Sequence, residues 1–372
     1  MRLVFLYVAD GAAPAGSQVP WDSNEKCHNY YARRFPEEGY FHLLLRMVET
    51  GIVDDVLVVV ESNRGPGRID YGPRITGLVM PEIRDLNAWL KWDDVIWCRG
   101  GFRSWHAFLE EQAKARRWLL VYAANTGRGR WPFWDVIFDD LAGRNFVDGA
   151  DRIHLDFRKP TRPDIFHPMG IPRPYDLCMG ASRIHDKKGQ WRAIEVAIAY
   201  KRLYGQNLKG VLPGPWAKGA KTNQIRDKIK THGLDVTITD ALARADLARV
   251  LNQSRLFAHL GSHGQGDRGV MEAMRCGCLL ILGFPQYHAP WTWQNHDVTW
   301  VLDNPEDYDA IAHNIHKILE NGNAPTARQA FIHHDRNCGM EQVILPSMAR
   351  LFGFFRRHIK ADKDLLCKEY AL

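Results

Sequence analysis

The stretch from Leu256 to Leu282 restricts the fold more than any other part of the chain. It opens with the apolar run Leu256-Phe257-Ala258-His259-Leu260, the length of a short buried strand. Gly261, Gly264, Gly266 and Gly269 follow within nine residues. A helix is expected from Gly269 or Val270 through Met274, and Gly277 is placed to stop it. Cys278 to Leu282 then makes a second buried strand. Strand, glycine loop, helix and strand in this order form one parallel βαβ step. The glycines let the backbone take left-handed angles and approach a ligand closely. The helix start offers free N–H groups and a partial positive charge, which suits a phosphate. Arg268 stands at that helix mouth, and Glu272 lies one turn in, where a carboxylate accepts from sugar hydroxyls. An ordinary buried βαβ turn with a solvated Glu272 fits the same residues equally well.

The same alternation runs along the chain on both sides of a proline-rich stretch. Arg2–Val8, Asp54–Val60, Ile75–Met80, Asp94–Trp97, Trp118–Ala123, Val136–Phe138 and Arg152–Leu155 read as strands. Between them, residues 36–51 carry an amphipathic helix, and another helix holds Phe108 and Leu109. Residues 64–68 read as a turn-rich surface loop. Pro160, Pro163, Pro168, Pro172 and Pro174 mark an extended connector. Beyond it, strands at Tyr175–Met179, Leu208–Leu212 and Val236–Thr239 alternate with helices at 190–203, 223–232 and 245–253. Two later helices are expected at 305–319 and 341–359, with a loop at 286–293. This pattern predicts an α/β protein of two Rossmann-like, doubly wound domains facing a central cleft. The expected divisions are an N-terminal domain at 1–165, a C-terminal domain at 166–340, and a final helix at 341–372 packing back on the first domain.

Composition narrows the class of partner. At 372 residues the chain exceeds what one core usually serves. No apolar run approaches the ~18–20 residues of a membrane span, and Arg2–Val8 reads as a strand, not a signal peptide. Seven scattered cysteines, an odd number, point to reduced thiols in a cytoplasmic protein. A formal charge of +6 admits an anionic partner without requiring one. The adjacent acids Asp93-Asp94 and Asp139-Asp140 read as surface residues, and no metal is expected.

Two groups of basic residues stand after strand ends. Arg183 and Lys188, on the loop after the first strand of the second half, suit a diphosphate, one as a fork and one as a point charge. In the first half, Asp10 opens a loop of small residues, and Arg99, Arg103, Asn125, Arg128 and Arg130 lie among Trp105, Trp131 and Trp134. That mixture suits an anionic or ring-bearing acceptor, and equally suits solvated arginines around packed tryptophans.

Three segments now stand in order: Asp164-Ile-Phe-His-Pro168, then Arg183-Ile-His-Asp-Lys-Lys188-Gly189, then Glu272-Ala-Met-Arg-Cys276-Gly277. Together they resemble the family-4 retaining glycosyltransferases of the GT-B fold, over roughly residues 160–285. The resemblance implies that Arg183 and Lys188 bind and neutralise the departing diphosphate. It places Glu272 on the ribose hydroxyls of the nucleotide. The helix start at Gly269 and Val270 would meet the phosphates, Gly266, Asp267 and Arg268 would also belong to the donor site, and the turn from Thr239 to Leu242 would sit against the nucleobase. It implies a hexose, glucose above all, moved from a nucleotide sugar such as UDP-glucose, with retention, no metal and no cofactor beyond the substrate.

One position departs from the family pattern. The first of its two glutamates should fall eight residues before Glu272, where this chain has Gly264. His263, Gln265 and Asp267 are neighbours able to take its place, and the alternative is a non-catalytic protein of the same fold that binds sugar nucleotides or nucleic acid. Asp10, Arg99, Arg103, Asn125 and Arg128 are the acceptor-side candidates. The acceptor is a saccharide or glycan, or a hydroxymethylated DNA base.

Overall fold

The computed structural model describes residues 1–7, 35–61, 67–91, 93–99, 103–114, 119–124, 134–139, 153–180, 184, 188–216, 220–261, 268–284, 292, 294, 297–320 and 327–358. The chain divides into two units, Met1–Pro160 with Met340–Leu372, and Thr161–Gly339.

The first unit is built on an eight-stranded sheet. Its strands are β1 (Arg2–Tyr7), β2 (Asp55–Glu61), β3 (Gly67–Asp70), β4 (Ile75–Met80), β5 (Val95–Arg99), β6 (Leu119–Ala124), β7 (Val136–Asp139) and β8 (Ile153–Asp156). They lie in the order β3-β4-β2-β1-β5-β6-β7-β8. β3 runs antiparallel to β4, and the other neighbours are parallel. β1 and β2 carry unbroken apolar runs because a parallel strand is covered on both faces. On one face, α1 (Gly39–Glu49) buries Tyr40, Leu43, Leu44 and Met47. Trp97 stands edge-on there to Phe5, Phe138 and Phe157, with centroids 5.0–5.5 Å apart, an arrangement that adds to the gain from burial. On the other, Phe108 and Leu109 of α2 (Arg103–Lys114) pack with Val4, Ile96 and Trp134.

Two expectations are corrected in this unit. Asp94 is not a surface acid. It is fully buried and holds Arg2 in a forked pair, Nε to Oδ1 at 2.9 Å and Nη2 to Oδ2 at 2.6 Å. Arg2 and Asp94 sit where β1 and β5 begin, so a charge at one strand start is met by the other. The turn-rich loop gives way to strand at Gly67, and Arg68 lies in the antiparallel edge strand β3.

The second unit holds β9 (Tyr175–Cys178), β10 (Gly210–Leu212), β11 (Val236–Ile238), β12 (Ser254–His259), β13 (Leu279–Leu282) and β14 (Thr299–Val301). All pair in parallel, in the order β11-β10-β9-β12-β13-β14. Its helices are α3 (Gln190–Tyr204), α4 (Ala220–Thr231), α5 (Arg244–Asn252), α6 (Arg268–Arg275), α7 (Tyr308–Glu320) and α8 (Ala327–Cys338). Ile194 and Ala197 of α3 meet Ile311 and Ile315 of α7 in the core of this unit. The first strand, β9, lies inside the sheet. β10 and β11 extend to one side and β12 to β14 to the other, so the winding reverses between β9 and β12. In doubly wound sheets ligands bind beyond the strand C-termini at that reversal.

The chain then completes the first unit. Where one helix is expected over 341–359, a π-helical segment, Met340–Ile344, precedes α9 (Leu345–His358). α9 packs against α1. Arg46 of α1 reaches Glu341, with Nε to Oε1 at 2.9 Å, and Arg356 of α9 donates to the Gly51 carbonyl at 2.9 Å. Among the described residues no helix is long and apolar enough to cross a membrane.

Candidate functional site

The loop after β9 is pinned at both ends. Ile184 bridges Trp216 just after β10, its N–H donating to the Pro215 carbonyl at 2.8 Å. At the other end Gly189 caps α3 with φ +78°. A Cβ on Gly189 would lie 2.2 Å from the carbonyl carbon and oxygen of Leu260 and 2.5 Å from the Gly261 nitrogen. Real atoms cannot approach so closely, so only glycine seats the loop on the chain leaving β12. Arg192, one turn into α3, donates to the Leu260 carbonyl at 3.2 Å and pairs with Glu306 at 2.8 Å. The half-buried Lys188 is thereby held beside the start of the glycine-rich loop.

Glu272 is 2% exposed. It is no solvated helix residue. Arg244, in the first turn of α5, meets it as a fork, with Nη2 to Oε1 at 3.0 Å and Nη1 to Oε2 at 3.3 Å. Arg268, one turn earlier on α6, lies 3.7 Å from Oε1 through its Nε. The Arg244 guanidinium carbon sits 5.6 Å from the ring centre of the fully buried Phe166. Phe166 belongs to the connector and Arg244 follows the turn from Thr239 to Leu242. Three stretches distant in sequence therefore converge on one carboxylate.

The far end of α6 is equally constrained. Gly277 has φ +84°, and a Cβ there would fall 2.4 Å from Cβ of Ala327 and 2.8 Å from Nη2 of Arg173. Arg173 donates to the Cys276 and Gly277 carbonyls, both at 2.7 Å, and to Ser254 at 2.8 Å. These bonds satisfy carbonyls that a helix end leaves without partners. Behind them Arg275 pairs with Asp335 and faces the fully buried His334 at 3.4 Å. Burial pushes the His334 imidazole down to about 4. The described cysteines, Cys98, Cys178, Cys276, Cys278 and Cys338, are buried, and burial raises the thiols of Cys98, Cys178, Cys276 and Cys278.

Residues 162–336 match the family model for glycosyl transferases group 1. Over these residues the chain is similar to the group 1 glycosyltransferases. The match spans just under half of the chain, and solved structures extend the likeness in fold to nearly all of it. Sucrose-phosphate synthase from Thermosynechococcus elongatus is 15% identical, with a TM-score of 0.66 over 97% of this chain and 99% of that one. Anabaena HepE in complex with UDP is 13% identical, with a TM-score of 0.67 over 95% and 100%. An E. coli trehalose-6-phosphate structure bound with UDP-2-fluoro glucose is 12% identical, with a TM-score of 0.61 over 97% and 99%. No curated protein matches the chain in sequence. The fold is GT-B, with two Rossmann-like units.

Within the matched stretch, Arg268, Gly269 and Val270 open α6, and Gly269 and Val270 are buried. Thr239 is tied to β10 through its N–H to the Leu212 carbonyl at 3.2 Å, and Leu242 lies half-buried two residues before Arg244. Arg183, Gly264, Gly266 and Asp267 lie outside the described residues, as do the neighbours His263 and Gln265. Sequence reasoning passed over Arg244, whose one signal is an arginine in the first turn of the helix after the Thr239 turn. It also passed over Arg173, hidden among the connector prolines.

On the acceptor side, Asp10, Asn125 and Arg128 lie outside the described residues, and Arg103 opens α2. Arg99 ends β5 directly beside Tyr7 of β1. Its guanidinium lies 4.3 Å from the ring centre of Tyr40 and 5.8 Å from that of Tyr7. In the first sheet the winding reverses between β1 and β5, so Arg99 stands at the C-terminal end of a strand at that reversal.

Proposed function

We propose that this chain moves a hexose, glucose in the first instance, from a nucleotide sugar to an acceptor hydroxyl with retention at the anomeric carbon. The single observation that carries this reading is the seating of Gly189 on Leu260 and Gly261, which brings the Lys188 loop against the glycine loop at the winding reversal. Lys188 and Arg183 take the diphosphate, and the start of α6 adds its dipole. Glu272 receives the ribose hydroxyls, and the turn at Thr239–Leu242 faces the base. The donor is UDP-glucose. The UDP and UDP-2-fluoro glucose held by two proteins of this fold support that choice.

The leaving phosphate takes the acceptor proton, and the basic residues carry the charge for which other transferases use a metal. Arg99, with Asp10, Arg103, Asn125 and Arg128, serves the acceptor, a glycan hydroxyl or a hydroxymethylated base. Salt dependence of acceptor binding separates these two, because phosphate contacts release counterions. Gly264 in place of the family's first glutamate favours the second reading, a binding protein that transfers nothing. The test is the product. Proton NMR of a reaction with UDP-glucose should show an α-linked glucoside, retaining the donor's configuration. A β-linked product would end the retaining assignment, and tight UDP binding without turnover would establish the second reading.

A further inference from the structure

Glu272 and Arg244 form a unit that the donor-site assignments leave unexplained. A carboxylate 2% exposed is costly to bury unless charge and hydrogen bonds compensate it. Arg244 supplies both through two contacts, one to each oxygen, at 3.0 and 3.3 Å. A fork of this kind fixes the carboxylate plane as well as its charge. It sets the orientation in which the carboxylate meets any further donor, such as the hydroxyls of a vicinal diol.

Arg244 is itself held in place. Its guanidinium lies against the face of Phe166, which is fully buried, and its own side chain is 15% exposed. A lysine would provide charge at this place without the planar fork. Arg268 comes no nearer to the carboxylate than 3.7 Å, through its Nε.

We infer that Arg244 is a positioning residue for the nucleotide ribose: it holds the Glu272 carboxylate, backed by Phe166, in the plane that accepts the 2′- and 3′-hydroxyls. The inference rests on the proposed seating of the donor ribose at Glu272. It makes selectivity for the ribose diol a property of the Arg244–Glu272 pair, separate from grip on the diphosphate.

The test is calorimetric binding of UDP and of 2′,3′-dideoxy-UDP to the full-length chain. The wild type should prefer UDP by about 10-fold or more, since hydrogen bonds to a charged group are among the stronger ones. In Arg244→Gln the preference should fall to near one while dideoxy-UDP binds as before, and Arg244→Lys should restore only part of it. Removing one partner leaves a buried charge uncompensated, so Arg244→Gln is accompanied by the double variant Arg244→Gln/Glu272→Gln, which carries no unpaired charge. The double variant should match Glu272→Gln alone in its ratio, the non-additivity of a coupled pair. A preference kept in Arg244→Gln, or an equal loss for both nucleotides, overturns the role of Arg244. A wild type with no preference overturns the ribose assignment beneath it.

Discussion

Gly189 shows how a single residue can decide where a charge stands. Its φ of +78° and its missing side chain let α3 start directly on the Leu260–Gly261 backbone, with Lys188 as the residue before it. Gly189→Ala should therefore displace Lys188 as well as strain the turn, weakening UDP binding together with stability. Calorimetry and urea melts on the same protein would read both. Lys188→Ala leaves the turn intact and should act on chemistry more than on folding. Turnover should fall by about 100-fold or more, the scale of losing one charge-stabilising donor, with the melting temperature unchanged. The sequence singles out Arg183 and Lys188 by residue type alone, a fork and a point charge that suit a diphosphate. It does not single out Arg244, because an arginine in a first helical turn is unremarkable until Glu272 is found 3.0 Å away. Asp94 misled for the same reason, since its partner, Arg2, lies 92 residues distant.

At the scale of elements, α6 is short and depends on what surrounds it. Gly277 ends it with a left-handed residue packed on Ala327 and Arg173. Gly277→Ala combines left-handed strain of about 1–2 kcal/mol with overpacking of about 1–3 kcal/mol, a loss that chemical denaturation would register. The helix behind it, α8, was invisible in sequence. Its buried stripe is Ala330, His334 and Cys338, so helical spacing is present without hydrophobic contrast. β3 escaped because glycine and proline precede it and it pairs only along one edge. The long strands and α3 were legible because burial on both faces, or on one clear face, writes itself into the sequence.

The buried His334 makes this region sensitive to acid. Its folded value of about 4 lies below the ordinary 6.5, because burial disfavours the charged ring. The unfolded chain thus binds the proton first. The stabilisation is complete above pH 6.5 and is lost as pH falls towards 4. His334→Gln should flatten the pH dependence of the melting temperature in that window. An unchanged slope would show that other groups carry it.

At the scale of the whole molecule, the chain divides into two units, and the first is made from both ends of the sequence. Removing residues 340–372 takes away α9, which packs on α1, and with it the Arg46–Glu341 pair. The shortened chain should lose stability in the first unit, while Thr161–Gly339, expressed alone, should fold and bind UDP. Limited proteolysis and calorimetry would follow the two effects separately. The alternation of strands and helices revealed this doubly wound architecture from sequence, whereas the hold of Arg244, backed by Phe166, on Glu272 appears only in the folded chain. The measurement that bears most directly on the account is release of nucleoside diphosphate from UDP-, GDP- and ADP-sugars, with and without simple glycans and hydroxymethylated duplex DNA, by the wild type and by Lys188→Ala. The account predicts release from UDP-glucose, accelerated by one class of acceptor and nearly abolished in Lys188→Ala. Nucleotide bound tightly with no release from any donor, or release unaffected by Lys188→Ala, would contradict it.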